Sequence, residues 1–137
     1  MVKKASKLTI GTGRRKTAVA RVFLQEGAGK MLVNGVPPEE YFSSLKFKKD
    51  NWMRPFNLVG VSDPEKQYDL SIRVGGSGAS SQLGAVIHGI SWALANTSEE
   101  FAKILRKSSM LTRDSRMVER KKYWLRKARK APQYSKR

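Results

Sequence analysis

The strongest structural signal in the chain lies in residues 68–95, whose sequence is YDLSIRVGGSGASSQLGAVIHGISWALA. Apolar and polar residues alternate from Tyr68 to Val74, which predicts a strand with one buried face. Residues 75–78 are rich in glycine and predict a turn into a helix over about residues 79–95. The apolar stripe expected to bury this helix consists of Leu83, Val86, Ile87, Ile90 and Leu94.

A seam of small residues is predicted beside this stripe, formed by Gly84, His88 and Ser91. Such a seam would let a strand or a second helix approach the helix closely. His88 is the only histidine of the chain. We interpret it as a packed helix residue, because no second histidine, cysteine nucleophile or paired acid is placed to work with it.

A β-hairpin is predicted near the N-terminus. Residues 7–11 alternate and predict a short strand, and the β-rich residues 17–24 predict its partner. Gly11 and Gly13 are expected to end the first strand. Three adjacent cations lie at or near the hairpin tip, Arg14, Arg15 and Lys16. A turn carries no obligation to the core, so we interpret them as candidate phosphate contacts, with a solvated basic loop as the alternative.

The elements between hairpin and helix are predicted from turn residues and helix signals. A third strand covers residues 31–33 and is closed by a turn at residues 34–35. Proline and acids at residues 37–40 predict a helix start, followed by a short helix or two. Residues 56–61 are predicted to form a strand, ended by a turn at residues 63–64.

A second helix is predicted after the long one, beginning with a cap at Thr97 or Ser98 and ending near Arg106 and Lys107. The residues expected to be buried on it are Phe101, Ile104 and Leu105. Together these elements define an α+β fold, a small mixed or antiparallel sheet with two helices on one face.

Charge is concentrated at the two ends of the chain, whose net formal charge is +17. Residues 106–137 hold thirteen Lys or Arg and two acids, residues 1–25 hold seven bases and no acid, and residues 26–105 are nearly neutral. We therefore predict a globular α+β domain over residues 1–106, with a basic N-terminal hairpin, and an extended basic tail over residues 107–137. The tail lacks a sustained apolar stripe and cannot fold alone, and its expected partner is a polyanion.

Composition also limits the possible functions. The chain has no cysteine and one histidine, so we predict no disulfide and no metal site, and likewise no catalytic residue and no cofactor. No apolar run approaches the roughly 20 residues of a membrane span, and the N-terminus does not resemble a signal peptide. No amphipathic apolar face accompanies the charge of the tail, so we expect no membrane partner.

Two alternative functions rest on other features. Residues 75–78 precede a helix, where backbone N–H groups can hold an anion, and residues 76–81 resemble the loop of ATP-dependent small-molecule kinases of the galactokinase and homoserine kinase type. The ending of a P-loop is absent, such kinases are much longer, and no acid is placed as a base or magnesium ligand. A tight strand-to-helix turn is the favoured interpretation. The other alternative is a free-standing nucleic-acid chaperone.

Three blocks of sequence carry a resemblance to a known family. The first is GTGRRKTAVARV at residues 11–22, and the second runs over residues 76–94 and includes His88. The third combines residues 111–114 and 118–122 with RKAPQYSKR at residues 129–137. By these blocks, which occur in the family's order and span essentially the whole chain, the protein is identified as a member of the S-nine family of small-subunit ribosomal proteins.

The resemblance implies a domain like the second domain of ribosomal protein S-five, with a left-handed βαβ crossover. It implies that the body binds ribosomal RNA in the head of the small subunit, beside neighbouring head proteins. It further implies that the tail reaches the peptidyl-site transfer RNA, and that the role is structural. The location would be the cytoplasm, on a bacterial ribosome, or the chloroplast stroma, on a plastid ribosome.

The expected contact residues combine charge with this resemblance. Those expected to neutralise ribosomal RNA phosphates are Arg14, Arg15, Lys16, Arg113, Arg116, Arg120, Lys121, Lys122, Arg126, Lys127, Arg129 and Lys130. Those expected to contact transfer RNA are Ser135, Lys136 and Arg137. The chain departs from the family's usual pattern at Ser77, Ser81, Ile87, Trp92 and the Tyr123-Trp124 pair. Arginines are usual at positions 87 and 92, so no RNA contact is carried over there.

Overall fold

The computed structural model of the protein describes residues 8–45 and 50–136, and the predicted helical segment across residues 46–49 lies outside them. Within the described residues the chain forms four strands and five helices. The strands are β1 (Thr9–Arg15), β2 (Ala18–Glu26), β3 (Met31–Val33) and β4 (Tyr68–Gly75). The helices are α1 (Pro38–Tyr41), α2 (Asp50–Val59), α3 (Pro64–Gln67), α4 (Ala79–Thr97) and α5 (Glu99–Lys107).

The strands form one mixed sheet in the order β1-β2-β4-β3. The hairpin of β1 and β2 runs from Thr9 opposite Leu24 to Arg15 opposite Ala18. β4 pairs antiparallel with β2 and parallel with β3. Alternate residues of β2 and β4 are buried, as their sequence pattern predicts. The α+β class, the hairpin and the third and fourth strands are thereby confirmed.

The two C-terminal helices take different positions. α4 lies across β1 and β2, whereas α5 packs against α4 and α2. On α4 the predicted stripe is buried, except that Ile87 is half-buried. On α5 the prediction is partly wrong, because Leu105 is buried, Phe101 is half-buried and Ile104 is 40% exposed. A helix that rests on two other helices at the edge of the body buries a narrower face than one lying across a sheet.

The prediction that Gly11 and Gly13 end the first strand is wrong, because β1 continues through both glycines. Both glycines face α4. A Cβ atom on Gly11 would overlap the backbone of Gly89 and Ala93, and one on Gly13 would overlap the backbone of Ala85 and Gly89. These two glycines therefore allow a backbone-to-backbone approach of helix and strand that no larger residue permits.

The close-packed face of α4 also differs from the prediction. The residues against β1 are Ala85, Gly89 and Ala93, all of them buried. The predicted seam lies one residue away on the helix surface, where Gly84 sits beneath the side chain of Arg15. Neighbouring rows of a helix differ by one position in the sequence, so the pattern of small residues alone did not select the correct row.

The strand predicted at residues 56–61 is wrong, because α2 covers most of this segment. Trp52 and Phe56 lie four residues apart and are both buried, on the side of α2 that contacts α4 and α5. Burial at helical spacing outweighs the presence of Pro55 inside the helix, which removes one backbone hydrogen bond. The turn predicted at residues 63–64 is instead the start of α3.

We predict that Gly13→Ala lowers the free energy of unfolding by about 2 kcal/mol, because the added methyl group forces α4 away from β1. Gly75→Ala is the matched control, since a Cβ atom at Gly75 meets nothing within 4 Å. Urea unfolding of the two variants measures the difference. Equal stability of the two variants would contradict the close approach of helix and strand.

Candidate nucleic-acid interface

The three cations at the hairpin tip point in different directions. Side chains alternate along β1, so Arg14 is exposed on the open face of the sheet while Arg15 is half-buried on the helix side. Lys16 occupies the two-residue turn with a positive φ of 51°. The tip therefore presents cations on both sides of the sheet and not one uniform basic loop.

His88 connects this tip to the segment that follows α5. Its Nδ1 accepts a hydrogen bond from the backbone N–H of Arg14 at 3.2 Å, and its Nε2 lies 3.1 Å from the carbonyl oxygen of Leu111. Because Nδ1 accepts, the neutral ring carries its proton on Nε2 and donates it to Leu111. The indole N–H of Trp92 also lies 3.1 Å from Nε2, but it can only donate and therefore forms no hydrogen bond to this nitrogen while Nε2 carries the proton. The interpretation of His88 as a packed helix residue agrees with these contacts.

The first residues after α5 lie against the body. The backbone N–H of Met110 donates to the carbonyl of Leu105 at 3.0 Å, and Met110 and Leu111 pack on the core. Asp114 then approaches Arg15, with 3.5 Å between carboxylate and guanidinium. A cavity of about 160 Å³ remains between the hairpin tip, α4 and residues 109–114. Ile87 lines this cavity.

Asp114 is a charged junction between hairpin and tail. Its two oxygens accept bonds from Nε and Nη2 of Arg116 at 3.0 and 2.9 Å, and Oδ1 also accepts the Arg116 backbone N–H at 3.0 Å. These hydrogen bonds, together with the nearby charges of Arg116 and Arg15, hold the pKa of Asp114 well below its ordinary range. The two arginines therefore share an internal counter-ion, although the sequence analysis treated both as phosphate contacts.

Glu119 closes a loop further along the tail. Its carboxylate accepts a bond from Nζ of Lys122 at 2.9 Å and one from Nε of Arg129 at 2.8 Å. The backbone N–H of Arg126 donates to the carbonyl of Lys130 at 2.7 Å. Residues 119–130 thus form a loop, which we call the clasp loop. These roles of Asp114 and Glu119 were missed, although they are the only two acids among residues 106–137.

The clasp loop displays aromatic rings and cations to solvent. Tyr123 and Trp124 are 84% and 87% exposed, and Trp124 has a φ of 62°, which is unusual for a bulky residue. The predicted phosphate-binding residues from Arg113 to Lys130 are all exposed. Ser135 and Lys136 are exposed as well, and Arg137 lies outside the described residues. Residues 108–136 contain no helix or strand.

The glycine-rich loop between β4 and α4 is held by internal hydrogen bonds. Gly76 and Ser77 have positive φ values of 85° and 53°. The side chain of Gln82 donates to the carbonyl of Gly76 at 3.1 Å and accepts from the hydroxyl of Tyr41 at 2.9 Å. A Cβ atom on Gly76 would come within 2.5 Å of the carbonyl oxygen of Thr17. A tight turn packed against the hairpin therefore explains why this loop is rich in glycine.

The described residues contain no group of three or more His, Cys, Asp or Glu side chains able to hold a metal ion. They also contain no helix that is long and apolar enough to cross a membrane.

A near-neutral α+β body with cations at a hairpin tip and along an irregular C-terminal segment defines a structural protein suited to association with a polyanion. The profile of the family described as ribosomal protein S9/S16 matches residues 13–137. The small ribosomal subunit protein uS9 of Rickettsia canadensis (strain McKiel) is 51% identical over 126 residues, covering 92% of this chain and 76% of that protein. Its counterpart from Rickettsia conorii (strain ATCC VR-613 / Malish 7) is 51% identical over the same length.

The chain belongs to the ribosomal protein S9/S16 family and is of the bacterial type. Proteins of this family are structural and not enzymes, which excludes the small-molecule kinase alternative. The family assignment made from the three sequence blocks is confirmed.

We predict that His88→Ala makes the backbone amide of Arg14 exchange its hydrogen roughly fivefold faster, as expected for the loss of one hydrogen bond worth about 1 kcal/mol. Asn96→Ala is the matched control, because Asn96 bonds the carbonyl of Ile10 at the far end of the same strand edge, at 3.1 Å. Hydrogen exchange followed by NMR separates the two sites. Unchanged exchange at Arg14 in the His88 variant would contradict the connection.

We predict that the contact of Asp114 with Arg15 and Arg116 persists on mild acidification. Because the pKa of Asp114 is lowered in the folded state, the contribution of this contact to stability is complete above the ordinary carboxylate pKa of about 3.9. It is lost only as the pH falls through the lower pKa of the folded state. NMR titration of the carboxylate carbon measures this midpoint. A midpoint at or above about 3.9 would show that Asp114 is not held as described.

Proposed function

We propose that the protein is a structural constituent of the bacterial small ribosomal subunit, where it binds ribosomal RNA in the head and reaches the peptidyl-site transfer RNA with its last residues. The observation that carries the proposal is the contrast along residues 106–137. Thirteen bases face two acids there, and the hydrogen bonds of both acids go to neighbouring bases. Among the described residues, the other bases of this segment form no ion pair with a carboxylate.

The ribosomal RNA contacts fall into two groups in this proposal. Arg14 and Lys16 at the hairpin tip have no carboxylate within ion-pair distance among the described residues. The exposed cations of the clasp loop form the second group, and the rings of Tyr123 and Trp124 add surfaces on which unpaired bases can stack. Arg15, Arg113 and Arg116 lie between the groups. Binding of phosphate would compete there with Asp114 for Arg15 and Arg116 and with the carbonyl of Lys16 for Arg113.

The final residues are suited to reach beyond the RNA that surrounds the body. Residues 131–136 are exposed and form no helix or strand. Fully extended, they span about 20 Å beyond the clasp loop. Ser135, Lys136 and Arg137 are the residues that we propose contact transfer RNA.

The compartment and partners follow from the same proposal. The relatives described above come from bacteria, which favours a bacterial cytoplasm and gives no support to the chloroplast stroma. Neighbouring proteins of the subunit head are the expected protein partners. Co-sedimentation with small subunits before and after a high-salt wash tests this assignment. A free-standing chaperone would instead bind non-ribosomal RNA equally well in competition.

We predict that deletion of residues 136–137 leaves subunit assembly intact but weakens peptidyl-site transfer RNA binding roughly tenfold, because two cationic contacts are lost. The control variant K66Q/K103Q removes two charges from the body, outside the proposed contacts, and is expected to leave transfer RNA affinity unchanged. Filter binding of transfer RNA to reconstituted subunits measures both. Unchanged affinity after the deletion would refute the transfer RNA contact and leave the ribosomal RNA role in place.

A further inference from the structure

The open face of the sheet, opposite α4, carries a row of aligned polar residues. Thr12 of β1 lies opposite Arg21 of β2, and Arg21 lies opposite Arg73 of β4. All three side chains are exposed. Directly opposed residues of an antiparallel pair have Cβ atoms about 5 Å apart, so the two arginines are immediate neighbours on this face.

Two like charges in direct opposition destabilise a sheet. No carboxylate lies within ion-pair distance of Arg21 or Arg73 in the part of the chain that the structure describes. Asp69 is on the same strand as Arg73 but four residues away, and its carboxylate accepts the backbone N–H groups of Lys30 and Gly29, each at 2.8 Å. These bonds also lower the pKa of Asp69. The arginine pair is therefore an unneutralised positive site in the otherwise near-neutral body.

Neighbouring residues extend this site to the hairpin tip. Arg14 is exposed on the same face, opposite Val19 and diagonal to Arg21. The guanidinium of Arg73 lies over the ring of Phe23, 5.9 Å from its centroid, and this contact holds it on the sheet. Cations on three adjacent strands thus form a continuous line, which we call the sheet-face arginines, Arg14, Arg21 and Arg73.

We propose that the sheet-face arginines bind a second segment of RNA backbone, continuous with the segment held at the hairpin tip. Guanidinium groups bind phosphate by paired, charge-assisted hydrogen bonds, and the exposed hydroxyl of Thr12 adds a further donor. An anion placed between Arg21 and Arg73 removes the repulsion that the free protein carries. This inference rests on the proposed binding of ribosomal RNA and adds Arg21 and Arg73 to its contacts.

The test compares the full-length protein with the double variant R21Q/R73Q. The probe is a transcript of the small-subunit ribosomal RNA, and its affinity is measured over a range of salt concentrations. Loss of two phosphate contacts is expected to reduce the slope of log K against log salt by about 2. K66Q/K103Q is the matched control, since it removes the same charge from exposed positions on α3 and α5 that lie outside the proposed contacts, and it is expected to leave the slope unchanged.

Stability separates a binding role from a folding role. R21Q/R73Q removes the repulsion between the two arginines and also the contact of Arg73 with Phe23, so the double variant is expected to unfold at a temperature close to that of the native chain. The salt slope is therefore compared at a temperature at which both proteins are folded. An unchanged salt slope in the folded double variant would show that the pair does not bind RNA and would overturn the proposal.

A third arm uses poly-glutamate as a probe for an acidic protein partner. Binding of poly-glutamate that is lost in R21Q/R73Q, with RNA affinity unchanged, would assign the face to a protein and overturn the proposal. If the native chain itself bound ribosomal RNA without dependence on salt, the broader function would fail instead. If the native chain and the double variant share the same steep slope of log K against log salt, the sheet-face site is refuted and the broader function is retained.

Discussion

The contact between α4 and β1 is the constraint on which the remaining structure depends. Gly11 and Gly13 bring the strand against the backbone of α4 so closely that side chains on the neighbouring rows of the helix reach the exposed edge of the sheet. The ring of His88 thereby accepts a hydrogen bond from the backbone N–H of Arg14, and the side chain of Asn96 donates one to the carbonyl of Ile10. An edge strand with open backbone groups is prone to pairing with other chains, and α4 occupies two of those groups.

The same contact determines where the C-terminal segment begins. His88 holds the hairpin with one ring nitrogen and the carbonyl of Leu111 with the other. Asp114 then adds an ionic contact to Arg15. The hairpin tip and the start of the tail are therefore fixed relative to each other. Lys16 and Arg113 are 97 positions apart in the sequence, yet the side chain of Arg113 lies 3.5 Å from the Lys16 carbonyl.

The spacing of apolar residues was sufficient to predict β2, β4 and the buried stripe of α4, because each of these patterns admits one interpretation. A glycine in a strand admits two, since it can mark the end of the strand or a close approach of another backbone. For Gly11 and Gly13 only the position of α4 decides between them. The strand prediction at residues 56–61 was wrong for a related reason, because a short apolar run fits either a strand or a buried helix. For the candidate site, charge located the cationic segments, but it did not show that Arg14 and Arg15 lie on opposite faces or that Asp114 occupies two of the predicted contacts.

Phosphate contacts provide affinity without choosing a sequence, so selection of one position on a large RNA has to come from the spacing of the cations. In this chain that spacing is most firmly fixed at the body, where β-sheet register sets Arg14 and Arg21 and where His88 and Asp114 set the start of the tail. It is less constrained in the clasp loop, which one carboxylate holds. Residues 131–136 show no internal hydrogen bond within the described chain. The contacts that fix the cations thus become fewer from the sheet outward, which suits the proposed roles of the body in positioning the protein on RNA and of the last residues in reaching further.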